Sequence, residues 1–241
     1  MIDLHNHFLP GIDDGAQTLH EALALARAAV ATGVKTAVMT PHVHPARYEN
    51  TRSSIARAYE AYAAELSAND IPLEIRMAGE VRISDDIMQL VEGEEIPYLG
   101  SSAGYRTMLL EFPPAQLMPG GERLVQWLIA RNIRPVIAHP ERNKEIVRDV
   151  EKLRPYLALG CLLQITAGAL IGRFGKDVER CAVTLVEREW ATAVASDAHD
   201  IENRPPAMDV ARAALIALGG LALAVDLTER GPARILGIGA K

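Results

Sequence analysis

The sequence predicts an α/β fold, arranged as a barrel or near-barrel of parallel strands. Three observations carry that expectation. Roughly seven strand-like segments alternate with helical patterns, and such alternation makes a parallel sheet. No repeat, linker or low-complexity tract divides the 241 residues, so a single domain over residues 1–241 is expected. Histidines and acids recur at the C-terminal ends of the expected strands. In a barrel of this kind those ends converge on one face.

The first strand is the opening "MIDLH", and it runs into "NHFLPGIDDG". The first helix follows a capping box, with Thr18 as N-cap and Glu21 three residues on. Leu19, Ala22, Leu23, Ala26 and Val30 keep helical spacing, and Gly33 suits the C-terminal stop. Further strands are expected at 34–40, 73–80, 106–112, 133–139, 160–166 and 190–196, with a weaker one at 221–225. Helices are expected near 52–68, 121–132, 144–159, 174–188, 207–219 and 228–236. "GSSAG" at 100–104 has the G-x-S-x-G form of a nucleophile elbow. It lacks the strand before and the helix after that the motif needs, so it is expected to be a loop leading into the next strand.

Composition narrows the function. Hydrophobic residues make up 49% and charged residues 23%, so a sizeable core is expected and disorder is not. The formal net charge of −6 argues against bulk electrostatic binding to nucleic acid or an anionic membrane. It leaves room for a small phosphorylated substrate held by metals and a few arginines. The acidic opening lacks the basic start of a secretory signal. The apolar stretch Leu215–Val225 is broken by two glycines, and no run approaches the roughly 18 residues of a membrane span. Cys161 and Cys181 sit in apolar patterns and are expected as buried thiols of a reducing cytoplasm. Six residues beyond them stand Ala167 and Glu187, so neither cysteine begins the loop of a thiolate phosphatase.

His5 and His7 are two apart on a strand, so both imidazoles face one side. Asp197 and His199 repeat that spacing, as do His42 and His44. The candidate metal ligands are His5, His7, Asp14, His42, Glu80, Glu111, His139, Asp197 and His199. Nine exceed the needs of one ion and suit two or three that share a bridging carboxylate. Mixed imidazole and carboxylate donors suit manganese, iron or zinc, with manganese first because carboxylates share the site. Such metals lower the pKa of bound water and clamp a phosphoryl displacement. Taken singly, each candidate is ordinary: a strand-end histidine, an ion pair, a turn aspartate before glycine. Their joint placement is what implies a metal centre. His20 falls on the capped helix and is expected at the surface, and His44 is set aside because Pro41 interrupts the strand before it. Arg142 and Arg204 follow His139 and His199 closely and suit bidentate contacts to phosphate oxygens.

The ordered set "HNH", "DDG", "TPH", "AGE", "LLEF", "HPER" and "SDAH" resembles the PHP (polymerase and histidinol phosphatase) superfamily. Within it, "DDGAQT", "LLEFP", "HPERN", "ITAGAL" and "SDAHDIENRPP" are most similar to the bacterial protein-tyrosine phosphatases of capsule and exopolysaccharide operons. The resemblance runs from Met1 to roughly Pro206. It implies a distorted (β/α)7 TIM-like barrel with a three-metal site at the strand ends. His5, His7, Glu80 and Asp197 would hold the first metal. Glu80, Glu111 and His139 would hold the second, and Asp14, His42 and His199 the third. Many other members carry a histidine where Asp14 stands, so Asp14 points to the tyrosine-phosphatase branch. Arg142 and Arg204 match that branch's phosphate-binding arginines. In "PHVH", Val43 separates two histidines that the branch often has adjacent.

The implied activity is hydrolysis of protein phosphotyrosine by a metal-activated hydroxide, without a covalent phosphoenzyme. The implied partner is the tyrosine-rich tail of a polysaccharide-synthesis kinase. The alternatives are a phosphatase of small molecules such as histidinol phosphate, a nuclease or nucleotide phosphatase, and a non-catalytic metal-binding regulator.

Overall fold

The computed structural model describes residues 1–239. In chain order it has β1 (Ile2–Asn6), α1 (Leu19–Ala31), β2 (Thr36–Met39), β3 (His42–Val43) and α2 (Arg52–Ala68). Next come β4 (Glu74–Met77), β5 (Glu80–Arg82), α3 (Ile87–Glu92), β6 (Gly100–Ser102), β7 (Tyr105–Glu111) and α4 (Gly121–Ile129). The second half holds β8 (Ile133–Ala138), α5 (Lys144–Arg148), α6 (Arg154–Ala158), β9 (Leu162–Thr166) and α7 (Ala167–Leu170). It ends with α8 (Lys176–Glu187), β10 (Ala193–Ala195), α9 (Met208–Val225) and α10 (Gly231–Leu236).

The fold is α/β with parallel strands. Its ladders form two sheets, β1-β2-β4 and β10-β9-β8-β7-β5-β3, rather than one closed sheet. The two adjoin at both ends. β2 runs through Thr40 and Pro41 into β3, and the N–H groups of Ala78 and Glu80 donate to Met39 O and Pro41 O. At the other end, His7 N–H donates to Ala198 O, and Asp197 N–H donates to His5 O.

Side chains alternate along each strand, and this alternation builds two apolar layers. Met108 and Leu110 of β7 pack outward against the helices, while Leu109 joins Leu4, Val38, Val136 and Ala195 on the inner side. Ile235 and Leu236 of α10 belong to that inner cluster. The Thr107 hydroxyl donates to Ile235 O at 2.8 Å and ties α10 beneath the strands. The capping box on α1 is present in full: Thr18 Oγ1 accepts from Glu21 N–H, and the Glu21 carboxylate accepts from Thr18 N–H.

Several expectations are corrected. Residues 221–225 are not a strand but the last turns of α9. "LALAV" is rich in strong helix formers with one β-branched residue, so it continues a helix once neighbours supply contacts. The backbone leaves helical geometry at Gly219 and Gly220, the latter at φ +82°, and helix resumes beyond them. A π-helical turn over Asp226–Arg230 joins α9 to α10. Met208–Leu236 is therefore a helical stretch long and apolar enough, by length and composition alone, to cross a membrane. The two glycines kink it rather than end it.

The expected helix at 144–159 divides into α5, a 3₁₀ turn and α6, because Asp149 is extended at φ −153° and Pro155 begins a new first turn. "GSSAG" is not a plain loop. Gly100–Ser102 pairs antiparallel with β7, so Ser102 lies in a hairpin and no helix follows it. Cys161 and Cys181 are free, buried thiols, and burial pushes each up to about 12.

Candidate metal centre

β1 delivers His5 at its end and His7 just beyond it, both fully buried. The loop after His7 folds back beneath it. Ala16 N–H donates to His7 O at 3.1 Å, and Gly15 N–H donates to Asp13 Oδ1 at 2.9 Å. A Cβ on Gly15 would stand 2.0 Å from His7 O, so only glycine permits this approach. β3 brings His42, β5 begins with Glu80, and β7 ends on Glu111. His139 follows β8 and Asp197 follows β10, both with left-handed backbones, at φ +31° and +50°. His199 is buried two residues further on.

The nitrogens of the first pair are assigned by their partners. His5 Nδ1 lies 2.8 Å from Gln164 Oε1, and His7 Nδ1 lies 2.7 Å from Asp13 Oδ2. Both partners are acceptors, so each Nδ1 keeps a proton, and each Nε2 offers its lone pair to an ion that displaces the second proton. The two Nε2 atoms face each other at 3.2 Å. His5 Nε2 is 3.3 Å from Glu80 Oε2 and 3.4 Å from Asp197 Oδ1. His7 Nε2 is 3.4 Å from each of the same oxygens. Ligands about 2.1 Å from a tetrahedral ion stand about 3.4 Å apart, so these spacings match the edges of a coordination shell.

The other candidates surround that point. Glu80 Oε1 lies 2.8 Å from His139 Nε2. His42 Nδ1 is 3.0 Å from Glu80 Oε2 without hydrogen-bond geometry, and 3.9 Å from Glu111 Oε2. Asp14 Oδ1 is 3.3 Å from His42 Nε2 and 3.6 Å from His199 Nε2. Donor atoms within 4.8 Å of one another form four overlapping groups. These are His7–Asp14–His42–His199, His5–His7–Glu80, His5–His139–Asp197 and His42–Glu80–Glu111. All nine sequence candidates are included. Glu80 is shared by two groups, as a bridging carboxylate would be.

Two tests of fit favour cations. Glu80 Oε2 and His199 Nε2 are buried with no hydrogen-bond partner. His199 Nδ1 is held 3.0 Å from Asp197 O, which leaves Nε2 bare. Orphaned buried acceptors are costly, and a divalent ion satisfies several at once.

Electrostatics agree in the metal-free protein. Burial opposes charge on His5 and His7, yet Glu80, Asp197 and Asp13 raise both above the usual histidine value. Burial likewise opposes ionisation of Asp197, but His5, Arg204 and Arg142 hold it well below the usual carboxylate range. Burial, with Glu80 beside it, lifts Glu111 to about 7. Burial and Arg142 depress His139 to about 4, and burial and His7 do the same to His199. For His42 the pull of Glu80 and Asp14 overcomes burial and raises it to about 9.

Arg142 Nη1 and Arg204 Nη2 both donate to Asp197 Oδ2, the second at 2.5 Å, while Oδ1 faces the histidines. Both guanidiniums line an open cavity above the donors, with His42, Glu80, Glu111 and His139 in its walls. Tyr48, Phe112 and Pro114 supply its apolar walls, and His44, set aside from the sequence, also lines it. His20 lines a neighbouring cavity with Asp14 and His199.

Sequence reasoning missed the residues that orient ligands. Asp13 holds His7 and accepts His42 N–H at 3.1 Å. Gln164 holds His5, Arg82 holds Glu111 at 2.7 Å, and Tyr48 stacks on His42 at 5.3 Å. The signal for Asp13 was present in "DDG", where two acids compete for one role. Gln164 carries no such mark inside an apolar strand.

The fold and this donor set define a divalent-metal-dependent hydrolase of α/β class. The chain belongs to the family described as capsular polysaccharide synthesis, CpsB/CapC, which matches residues 1–237. The tyrosine-protein phosphatase YwqE of Bacillus subtilis is 36% identical over 204 residues, covering 85% of this chain and 79% of that protein. The tyrosine-protein phosphatase CpsB of Streptococcus pneumoniae is 29% identical over 98% of both chains. A crystal structure from work on YwqE and CpsB, described as unique metal-dependent tyrosine phosphatases, superposes with a TM-score of 0.91. It is 34% identical and covers 99% of this chain and 95% of its own. A phosphotriesterase homology protein from Escherichia coli shares the fold alone, with a TM-score of 0.62 at 9% identity over 97% of both chains.

Proposed function

We infer that this chain is a metal-dependent protein-tyrosine phosphatase that hydrolyses phosphotyrosine on proteins. The observation that carries the reading is the convergence of nine metal donors beneath two guanidiniums in one cavity. His5, His7, Glu80 and Asp197 would hold one ion, Glu80, Glu111 and His139 a second, and Asp14, His42 and His199 a third, with manganese first in preference. Bound ions supply an activated water near neutral pH and offset phosphate charge.

The protein's own groups do the rest. Asp13 and Gln164 keep the lone pairs of His7 and His5 inward. Arg142 and Arg204 sit within reach of a phosphate above Asp197, and their forked donors suit its oxygens in the ground and transition states. Tyr48, Phe112 and Pro114 offer surface to an aromatic leaving group. A phenolate, with a pKa near 10, needs less proton assistance to depart than an alkoxide.

We read the working unit as one domain, a distorted (β/α)7 barrel; the His7–Ala198 and Asp197–His5 backbone hydrogen bonds between the two ladders support that reading. The physiological substrate is a bacterial tyrosine kinase of polysaccharide synthesis, met in the cytoplasm without membrane insertion or nucleic acid. Turnover decides the reading. Metal-loaded protein should hydrolyse phosphotyrosyl peptide with a higher kcat/KM than histidinol phosphate, and chelation should abolish it. Preference for histidinol phosphate, or bound metal with no phosphomonoester turnover, would overturn it.

A further inference from the structure

We propose that Arg47 is a specificity residue that selects phosphotyrosines flanked by acidic side chains; the proposal rests on the phosphatase reading above. Four arginines line the cavity: Arg47, Arg82, Arg142 and Arg204. Three are committed to carboxylates of the site, Arg82 to Glu111 and the other two to Asp197. Arg47 forms no ion pair among the described residues; its recorded contact is the face of Tyr48, 5.0 Å from the ring centroid.

That contact places it. Tyr48 stacks nearly parallel on His42, with 8° between the rings, so guanidinium, phenol and imidazole form one stack from rim to donor cluster. The turn that carries them is tight. Arg47 N–H and Tyr48 N–H both donate to His44 O, at 3.0 and 2.8 Å, and Ala46 is left-handed at φ +66°. The Asn50 amide donates to Ile12 O and His42 O at 2.9 Å each and pins the base of the turn. Arg47 is exposed, and the chain's net charge of −6 would repel an acidic peptide from most of its surface. An uncommitted guanidinium at the mouth reverses that locally and presents a fork to a carboxylate. A phosphotyrosine seated at the donors brings its neighbouring residues past this rim.

The test is a ratio of kcat/KM values for matched phosphotyrosyl peptides, acidic-flanked over lysine-flanked, measured within each enzyme so that any general loss cancels. The native metal-loaded enzyme should favour the acidic peptide. R47A should lower the ratio about fivefold, the scale of one exposed ion pair, R47E should invert it, and R47K should keep its sign. A native ratio near one, or a ratio unchanged in R47A and R47E, overturns the proposal; the latter is what a contact to the phosphate itself would give. If the native enzyme hydrolyses small phosphomonoesters and no phosphotyrosyl peptide, the phosphatase reading fails and this proposal with it.

Discussion

At His7 the Nδ1 proton is directed at Asp13 Oδ2, 2.7 Å away, and the same oxygen accepts His42 N–H. One carboxylate thus fixes two candidate ligands. Asp13→Asn keeps the shape and loses the charge, so metal affinity should fall about 10- to 100-fold. Metal titration checks this, and affinity within twofold of the native value would show that Asp13 does not orient His7. Glu141 differs because it touches no ligand side chain. It is fully buried, accepts Thr166 N–H at 2.8 Å and leaves Oε2 without a partner. Burial raises it to about 7 from an ordinary 4.5. A carboxyl with a raised folded pKa binds its proton more tightly in the fold. Stability is therefore lost as pH rises from about 4.5 towards 7, and stays lost above. Glu141→Gln has no such proton to lose, and should be more stable than the native chain by about 3 kcal/mol at pH 8 and by little at pH 4.5. Thermal melts across that range read the difference, and a gap independent of pH would refute it.

Among elements, legibility followed local physics. α1 was written in its capping box and spacing, because short-range rules decide it. The expected helix at 207–219 does open α9, but its tail at 221–225 was misread as a strand, because alternating leucine and alanine is apolar in either state. β3 was invisible for another reason: two residues carry no periodicity, and His42 and Val43 are extended because they pair with Glu80 and Val81. Six of the nine candidate donors were legible as strand-end residues, and His7, Asp14 and His199 through their short spacing to them. Their grouping was not, since His7 stands close to donors of two clusters and only three dimensions show that. The loop between β1 and α1 shows how an element governs the site. Gly15 there allows its backbone to meet His7, where an added Cβ would be 2.0 Å from His7 O. Gly15→Ala must push the loop, with Asp13 and Asp14 on it, away from the cluster. Misplacement on the ångström scale costs about 100-fold in rate. Phosphatase assays should show that loss with far-ultraviolet circular dichroism unchanged, and near-native activity would mean the loop is free to shift without consequence.

Across the whole molecule the donors come from segments far apart in sequence: β1 and the loop after it, β3, β5, β7, the turn after β8 and the segment after β10. They also span the seam where the two ladders adjoin, through the His7 N–H to Ala198 O and Asp197 N–H to His5 O hydrogen bonds. Ions held by these residues would cross-link both sheets at one end. The unfolded chain offers no such cluster, so binding should appear as stability, about 4 kcal/mol when free metal is 1,000 times its Kd. For a chain of this size that is a rise in Tm of about 8–16 °C. Protons compete for the same atoms. His42, raised to about 9 by Glu80 and Asp14 against its burial, is protonated in the metal-free protein at neutral pH. Metal must displace that proton, so the metal-induced rise in Tm should grow as pH climbs from 6 towards 9. Chelator-treated protein melted with added manganese, zinc or ferrous ion gives both the size of the effect and the order of preference. If no divalent ion moves the transition at any pH, the cluster is not a metal site and the hydrolytic reading loses its foundation.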